Sequence, residues 1–79
     1  MFMQHKHTTY RNHGVGLEVF LIEGIDFKFG DTHPFRVVFR DSDADATVVV
    51  RFKRTLEEAM EDIEAFLLGD FVCTGEKIS

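Results

Sequence analysis

The chain has 79 residues, a net charge of −5 and one cysteine, Cys73. A chain this short buries only about 60% of its unfolded surface, so one small domain is expected, with extra burial to gain from a partner or a second copy. The acidic balance disfavours a general binder of nucleic acid or of anionic membranes. A lone cysteine forms no intrachain disulfide, the N-terminus lacks the apolar core of a signal peptide, and no apolar run approaches the ~20 residues that cross a membrane. We therefore expect a cytoplasmic protein, in the host cytoplasm if it is viral.

The N-terminal segment is polar and rich in histidine. Residues 1–14 are predicted to form a flexible arm, with at most a short strand around Thr8 to Arg11. His5 and His7 form an H-x-H pair. Such pairs on a mobile arm often arise by chance, so we predict no metal site and no cofactor.

Two predicted strands follow the arm. Residues 17–22 are rich in β-branched and aromatic side chains. Residues 25–29 alternate apolar and polar side chains in the opposite phase. The change of phase requires either a hairpin turn or a β-bulge at Glu23-Gly24, and a turn is favoured.

Two more strands are predicted after a turn at residues 30–34, and a loop at residues 41–46 separates them. Side chains of alternate residues are expected to face the core in each strand. In the first these are Phe35, Val37 and Phe39, and in the second Val48, Val50 and Phe52.

An amphipathic helix is predicted from Thr55 to Gly69. Thr55 and Glu58 have the spacing of a capping box, and Gly69 is expected at the C′ position that ends the helix. One face is apolar, formed by Leu56, Ala59, Met60, Ile63, Phe66 and Leu67. The rest of the surface is acidic and contains no base to relieve the repulsion, with Glu57, Glu58, Glu61, Asp62 and Glu64.

The order of elements predicts a small two-layer α+β domain. An antiparallel β-meander of three to four strands precedes one C-terminal α-helix, which packs on one sheet face. The domain is expected over residues 15–72, with a tail at 73–79. The other sheet face should stay open and carry the bases, namely Lys28, Arg36, Arg40, Arg51 and Lys53.

No catalytic site is predicted. Asp43-Ala44-Asp45-Ala46-Thr47 matches the DxDxT string of haloacid dehalogenase phosphotransferases, but a strand follows the string and the chain is too short for that chemistry. Asp41, Asp43 and Asp45 imitate the start of a calcium loop, but Ala46 and Phe52 stand where an EF-hand needs Gly and Glu. Nothing near Cys73 in the sequence supplies a base for nucleophilic catalysis.

The hypothesis favoured by these patterns is a non-enzymatic interaction module. Its acidic helix would occupy a basic, nucleic-acid-binding surface of a partner protein, and a homodimer is a further expectation. The alternative is a small nucleic-acid-associated regulator that uses the basic open face of the sheet, although the scarcity of outward aromatic side chains disfavours direct binding. In size, charge and element order the chain resembles small phage-encoded proteins, including some anti-CRISPR inhibitors. That resemblance implies an inhibitor and assigns no site residue.

Overall fold

The computed structural model describes residues 5–24, 32–44 and 46–78. Within them the chain forms five strands and one helix. Their bounds are β1 Lys6–Asn12, β2 Leu17–Glu23, β3 Phe35–Asp41, β4 Ala46–Lys53, α1 Leu56–Phe66 and β5 Phe71–Ile78.

The strands form one sheet in the order β4-β3-β2-β1-β5, and each pair of neighbours is antiparallel. The predicted α+β class with an antiparallel sheet and one helix is therefore confirmed, but the predicted three to four strands are too few. The additional strands come from the two ends of the chain. Residues predicted as an arm contain β1, and residues predicted as a tail contain most of β5.

The helix packs on one face of the sheet, over β2, β3 and β4. We call this the α1 face, and the other side the opposite face. Ala59, Ile63 and Leu67 of the predicted apolar helix stripe are fully buried, and Phe66 packs on Phe39 with ring centroids 4.7 Å apart. The strands complete the core with Val19, Leu21, Val37 and Phe39.

The predicted phase of β4 is wrong. Phe39 is paired with Val49, and Val37 with Arg51, so Val49 and Arg51 lie on the α1 face. Val50 lies on the opposite face and is 46% exposed. Phe52 is paired with Arg36 and shares that face, while the side chain of Val48 lies outside the described part.

The predicted strand at 25–29 also lies outside the described residues, as does Lys28. β2 pairs directly with β3, and the Gly24 N–H donates to the Pro34 carbonyl at 2.9 Å, which extends the ladder beyond Glu23. Among the described residues, no helix has both the length and the apolar composition needed to span a bilayer.

Candidate interaction surface

The start of α1 is fixed by its own side chains. Thr55 is extended, and its hydroxyl oxygen accepts a hydrogen bond from the Glu58 N–H at 3.1 Å. The carboxylate of Glu58 reaches back to the Arg54 N–H at 3.3 Å, one residue before the position that a capping box requires. Glu57 and Glu58 also lie in the first turn, where the positive end of the helix dipole favours acids.

Three glutamates form a stripe along the outer side of the helix. Glu57, Glu61 and Glu64 are spaced by four and three residues, so they project from one side, and all three are exposed. Within the described part of the chain, none of the three makes an ion pair. The last turn of α1 contains no base to offset Glu64. This stripe is a row of negative charge on a helix that packs against the sheet.

Asp62 differs from the other acids of the helix because it faces the sheet. Its Oδ2 lies 3.1 Å from Nη1 of Arg51 and 3.0 Å from Nζ of Lys53, and its side chain is 22% exposed. Burial raises the pKa of Asp62, but hydrogen bonds from Lys53 and Arg51 outweigh it and leave the pKa below its usual value. This cluster joins α1 to β4, so Asp62 has a structural role here.

The C-terminal end of α1 has an unusual residue in its cap. Leu67 is the C-cap, and Leu68 follows in the left-handed conformation with φ 62°. The Gly69 N–H donates to the Glu64 carbonyl at 2.8 Å, and the Leu68 N–H to the Ala65 carbonyl at 3.3 Å. These bonds define a Schellman motif with Leu68 at C′. The prediction of Gly69 at C′ is therefore wrong by one residue, and Gly69 is C″.

Leu68 lies just beyond the C-terminal end of the helix and has an exposed apolar side chain. It is 72% exposed, more than any other large apolar side chain among the described residues. The left-handed conformation costs a non-glycine residue roughly 1–2 kcal/mol. An apolar side chain therefore stands in water at a position where glycine is favoured. We call Glu57, Glu61, Glu64 and Leu68 the outer stripe.

The side chain of Asn12, the last residue of β1, contacts the same end of the helix. No sequence pattern indicates this contact. Its Nδ2 donates to the Leu67 carbonyl at 2.6 Å. Its Oδ1 accepts from the Gly14 N–H at 2.7 Å and the Val15 N–H at 3.2 Å. One side chain thus shapes the β1–β2 connection and satisfies a helix-terminal carbonyl.

Four of the five bases predicted for one open face lie among the described residues, and they are divided between the two faces of the sheet. Arg36 and Arg40 lie on the opposite face, as predicted. Arg51 and Lys53 lie on the α1 face, where they bind Asp62. The charge of Arg40 is also partly balanced, because its Nη1 is 2.8 Å from the Glu18 carboxylate.

The described residues of the candidate catalytic motifs make local contacts. Asp41 Oδ1 accepts a hydrogen bond from the Asp43 N–H at 3.0 Å, so the Asp41 side chain stabilises the turn in which it lies. Asp45 lies outside the described residues. Cys73 is exposed on β5, and its thiol contacts the Gly75 carbonyl at 3.6 Å. In the described ranges, no group of three or more His, Cys, Asp or Glu side chains is arranged to hold a metal ion.

Comparison with protein-family models, with curated proteins and with solved structures finds no match to this chain.

Proposed function

We propose that this protein is a non-enzymatic interaction module that binds a basic surface of a partner protein through the outer stripe of α1. The observation that carries the proposal is the exposure of Glu57, Glu61 and Glu64 in one row, without counter-ions in the described chain. Carboxylates on a rigid helix can occupy the Lys and Arg side chains that otherwise bind phosphates. The implied activity is inhibition of a nucleic-acid-binding protein by occupation of its binding surface.

Leu68 adds a chemical requirement to the partner. Charged rims guide encounter and orientation, whereas an apolar side chain that becomes buried contributes to affinity. The partner surface should therefore combine Lys and Arg side chains with an adjacent apolar depression that receives Leu68. Glu58 flanks the stripe and is exposed, so it can contribute charge, whereas Asp62 is already bound to two bases.

The proposal is tested by displacement of labelled DNA from basic DNA-binding proteins, including RNA-guided nucleases. The native chain should release the DNA, and reversal of Glu57, Glu61 and Glu64 to Lys should abolish the release. The matched control reverses the exposed acids Asp43, Asp70 and Glu76, which lie off the helix, so that net charge changes equally. Equal loss in both triple variants would reduce the effect to net charge and contradict a specific surface.

The alternative function is a nucleic-acid-associated regulator that uses the opposite face. A groove of about 400 Å³ on that side is lined by His7, Thr9, Phe20 and Lys77, among others. Phe20 offers the aromatic ring on which a base can stack, and Lys77 a cation for a phosphate. Fluorescence anisotropy with a single-stranded oligonucleotide tests this function. Binding that weakens steeply with salt and is lost in Phe20→Ala would favour it over the first proposal.

A homodimer is the third element of the proposal. β4 and β5 are the edges of the described sheet, and edge strands present unpaired backbone groups to a second chain. Sedimentation velocity should detect a dimer at high micromolar concentration. A strict monomer would exclude the homodimer and leave the hetero-partner as the source of extra burial.

A further inference from the structure

The two histidines of the H-x-H pair belong to an ordered part of the molecule. His7 lies in β1, which is paired on both sides, and His5 directly precedes that strand. Side chains two residues apart on an extended chain project to the same face. Both histidines are half-buried, and their ring centroids are 6.1 Å apart with ring planes tilted by 48°. The assumption of a mobile arm, which disfavoured a metal site, therefore does not apply to this pair.

Gly24 creates the space for the ring of His5. A Cβ atom built at position 24 would overlap Cδ2 of His5 and lie 2.8 Å from its Nε2. The imidazole thus lies against the bare backbone at the end of β2, and a larger residue would displace it. His5 is held beside His7 by a contact that depends on glycine.

The spacing of the rings suits a shared metal ion. Metal–nitrogen bonds of about 2.0–2.1 Å place each ring centre about 3 Å from the ion, so two rings bound at a tetrahedral angle have centres roughly 5 Å apart. The observed centroid distance of 6.1 Å is about 1 Å longer, so metal binding requires the two rings to approach by that amount and one nitrogen of each ring to turn toward the ion.

We propose that His5 and His7 form a two-histidine binding site for a divalent transition metal ion of the zinc, nickel and copper type. Neutral imidazole nitrogens suit these ions, whereas magnesium and calcium prefer oxygen ligands. Among the described residues no third His, Cys, Asp or Glu joins the pair, so water or a further ligand would complete the coordination. The site lies away from the outer stripe, and it stands or falls independently of the proposed function.

Calorimetric titration with Ni²⁺ and Zn²⁺ at neutral pH tests the site. The native chain should bind one ion, and His5→Ala and His7→Ala should each weaken binding by roughly tenfold or more, because the second ligand no longer acts at high effective concentration. Gly24→Ala should also weaken binding, although it removes no ligand. Mg²⁺ should give no heat of binding.

His13 provides the matched control, because it pairs with Asp70 at the other end of β1 with 3.5 Å between Nε2 and Oδ1. His13→Ala should leave the titration unchanged. Substoichiometric Cu²⁺ should broaden the NMR signals of His5 and His7 before those of His13. Unchanged binding in both His5→Ala and Gly24→Ala would overturn the proposal, as would equal broadening at all three histidines. Because His5 and Gly24 lie at strand ends, these two variants keep the test valid even if His7→Ala unfolds.

Discussion

Leu68 combines a strained backbone conformation with an exposed apolar side chain, so substitutions at this position can separate an effect on stability from an effect on binding. The residue occupies a left-handed position with φ 62°, and its side chain is 72% exposed. Truncation to alanine removes little burial, on the order of 0.5 kcal/mol. Truncation to glycine removes the same burial and also relieves the left-handed strain, which is only partly offset by the greater freedom of glycine in the unfolded chain.

We expect Leu68→Gly to be more stable than Leu68→Ala by about 1 kcal/mol, which for a domain of this size raises Tm by about 4–8 °C. Thermal unfolding followed by circular dichroism measures this difference directly. Equal melting temperatures for the two variants would refute the assignment of Leu68 to C′.

The same two variants separate stability from function. Both lack the apolar side chain, so both should lose affinity for a partner that binds the outer stripe, including the stabilised glycine variant. Loss of binding in the alanine variant alone would tie the effect to stability and remove Leu68 from the docking surface.

The helix could be predicted well because its signals are local. Thr55 and the spacing of Ala59 and Ile63 fix the start of α1 and its buried face within one segment of the chain. Its end was harder to place, because the glycine pattern points to Gly69 as C′. The buried Leu67 is the last residue held by the core, so the chain reverses at Leu68 instead.

The phase of β4 could not be predicted from alternation. Three consecutive valines offer an apolar side chain to either face, so the pattern has no preferred phase. The phase of β4 is instead set by its pairing with β3, which places Val49 beside Phe39. Arg51 then lies on the helix side, with its guanidinium carbon 5.7 Å from the centroid of the Phe39 ring. A charged residue is accommodated there because Asp62 of the helix binds it.

The strands at the two ends were missed because their sequences lack an apolar stripe. On the α1 face β1 has Lys6, Thr8, Tyr10 and Asn12, none of them aliphatic, and seven of the eight residues of β5 are exposed. These strands are held mainly by backbone pairing with each other and by local contacts such as the edge-on packing of Tyr10 on Phe71. Backbone pairing leaves little trace in side-chain periodicity, which is also why the His5 and His7 geometry could not be predicted.

Three further predictions test the packing and electrostatics of the helix. Ile63→Asp should unfold the domain, because Ile63 is fully buried and an unpaired charge there costs several kcal/mol, whereas an unchanged Tm would contradict the assigned face. Asp62→Asn should cost about 1 kcal/mol at neutral pH. Because the pKa of Asp62 is lowered in the folded state, its carboxylate stabilises the fold above the unfolded pKa, and that contribution disappears as the pH falls through the folded pKa. The difference in urea-unfolding free energy between the native and Asp62→Asn proteins should therefore close in acid, and a gap independent of pH would refute the ion cluster. Asn12→Ala should cost about 1 kcal/mol, since it leaves the Leu67 carbonyl with only the longer bond from the Asp70 N–H at 3.3 Å and removes the acceptor of the Gly14 N–H. Asn12→Asp separates these roles: it keeps the oxygen that accepts from Gly14, but it loses the donor to Leu67 and places a negative charge at the negative end of the helix dipole. It should be at least as destabilised as the alanine variant in urea titrations at neutral pH, and native-like stability of Asn12→Asp would show that the bond to the helix end contributes nothing.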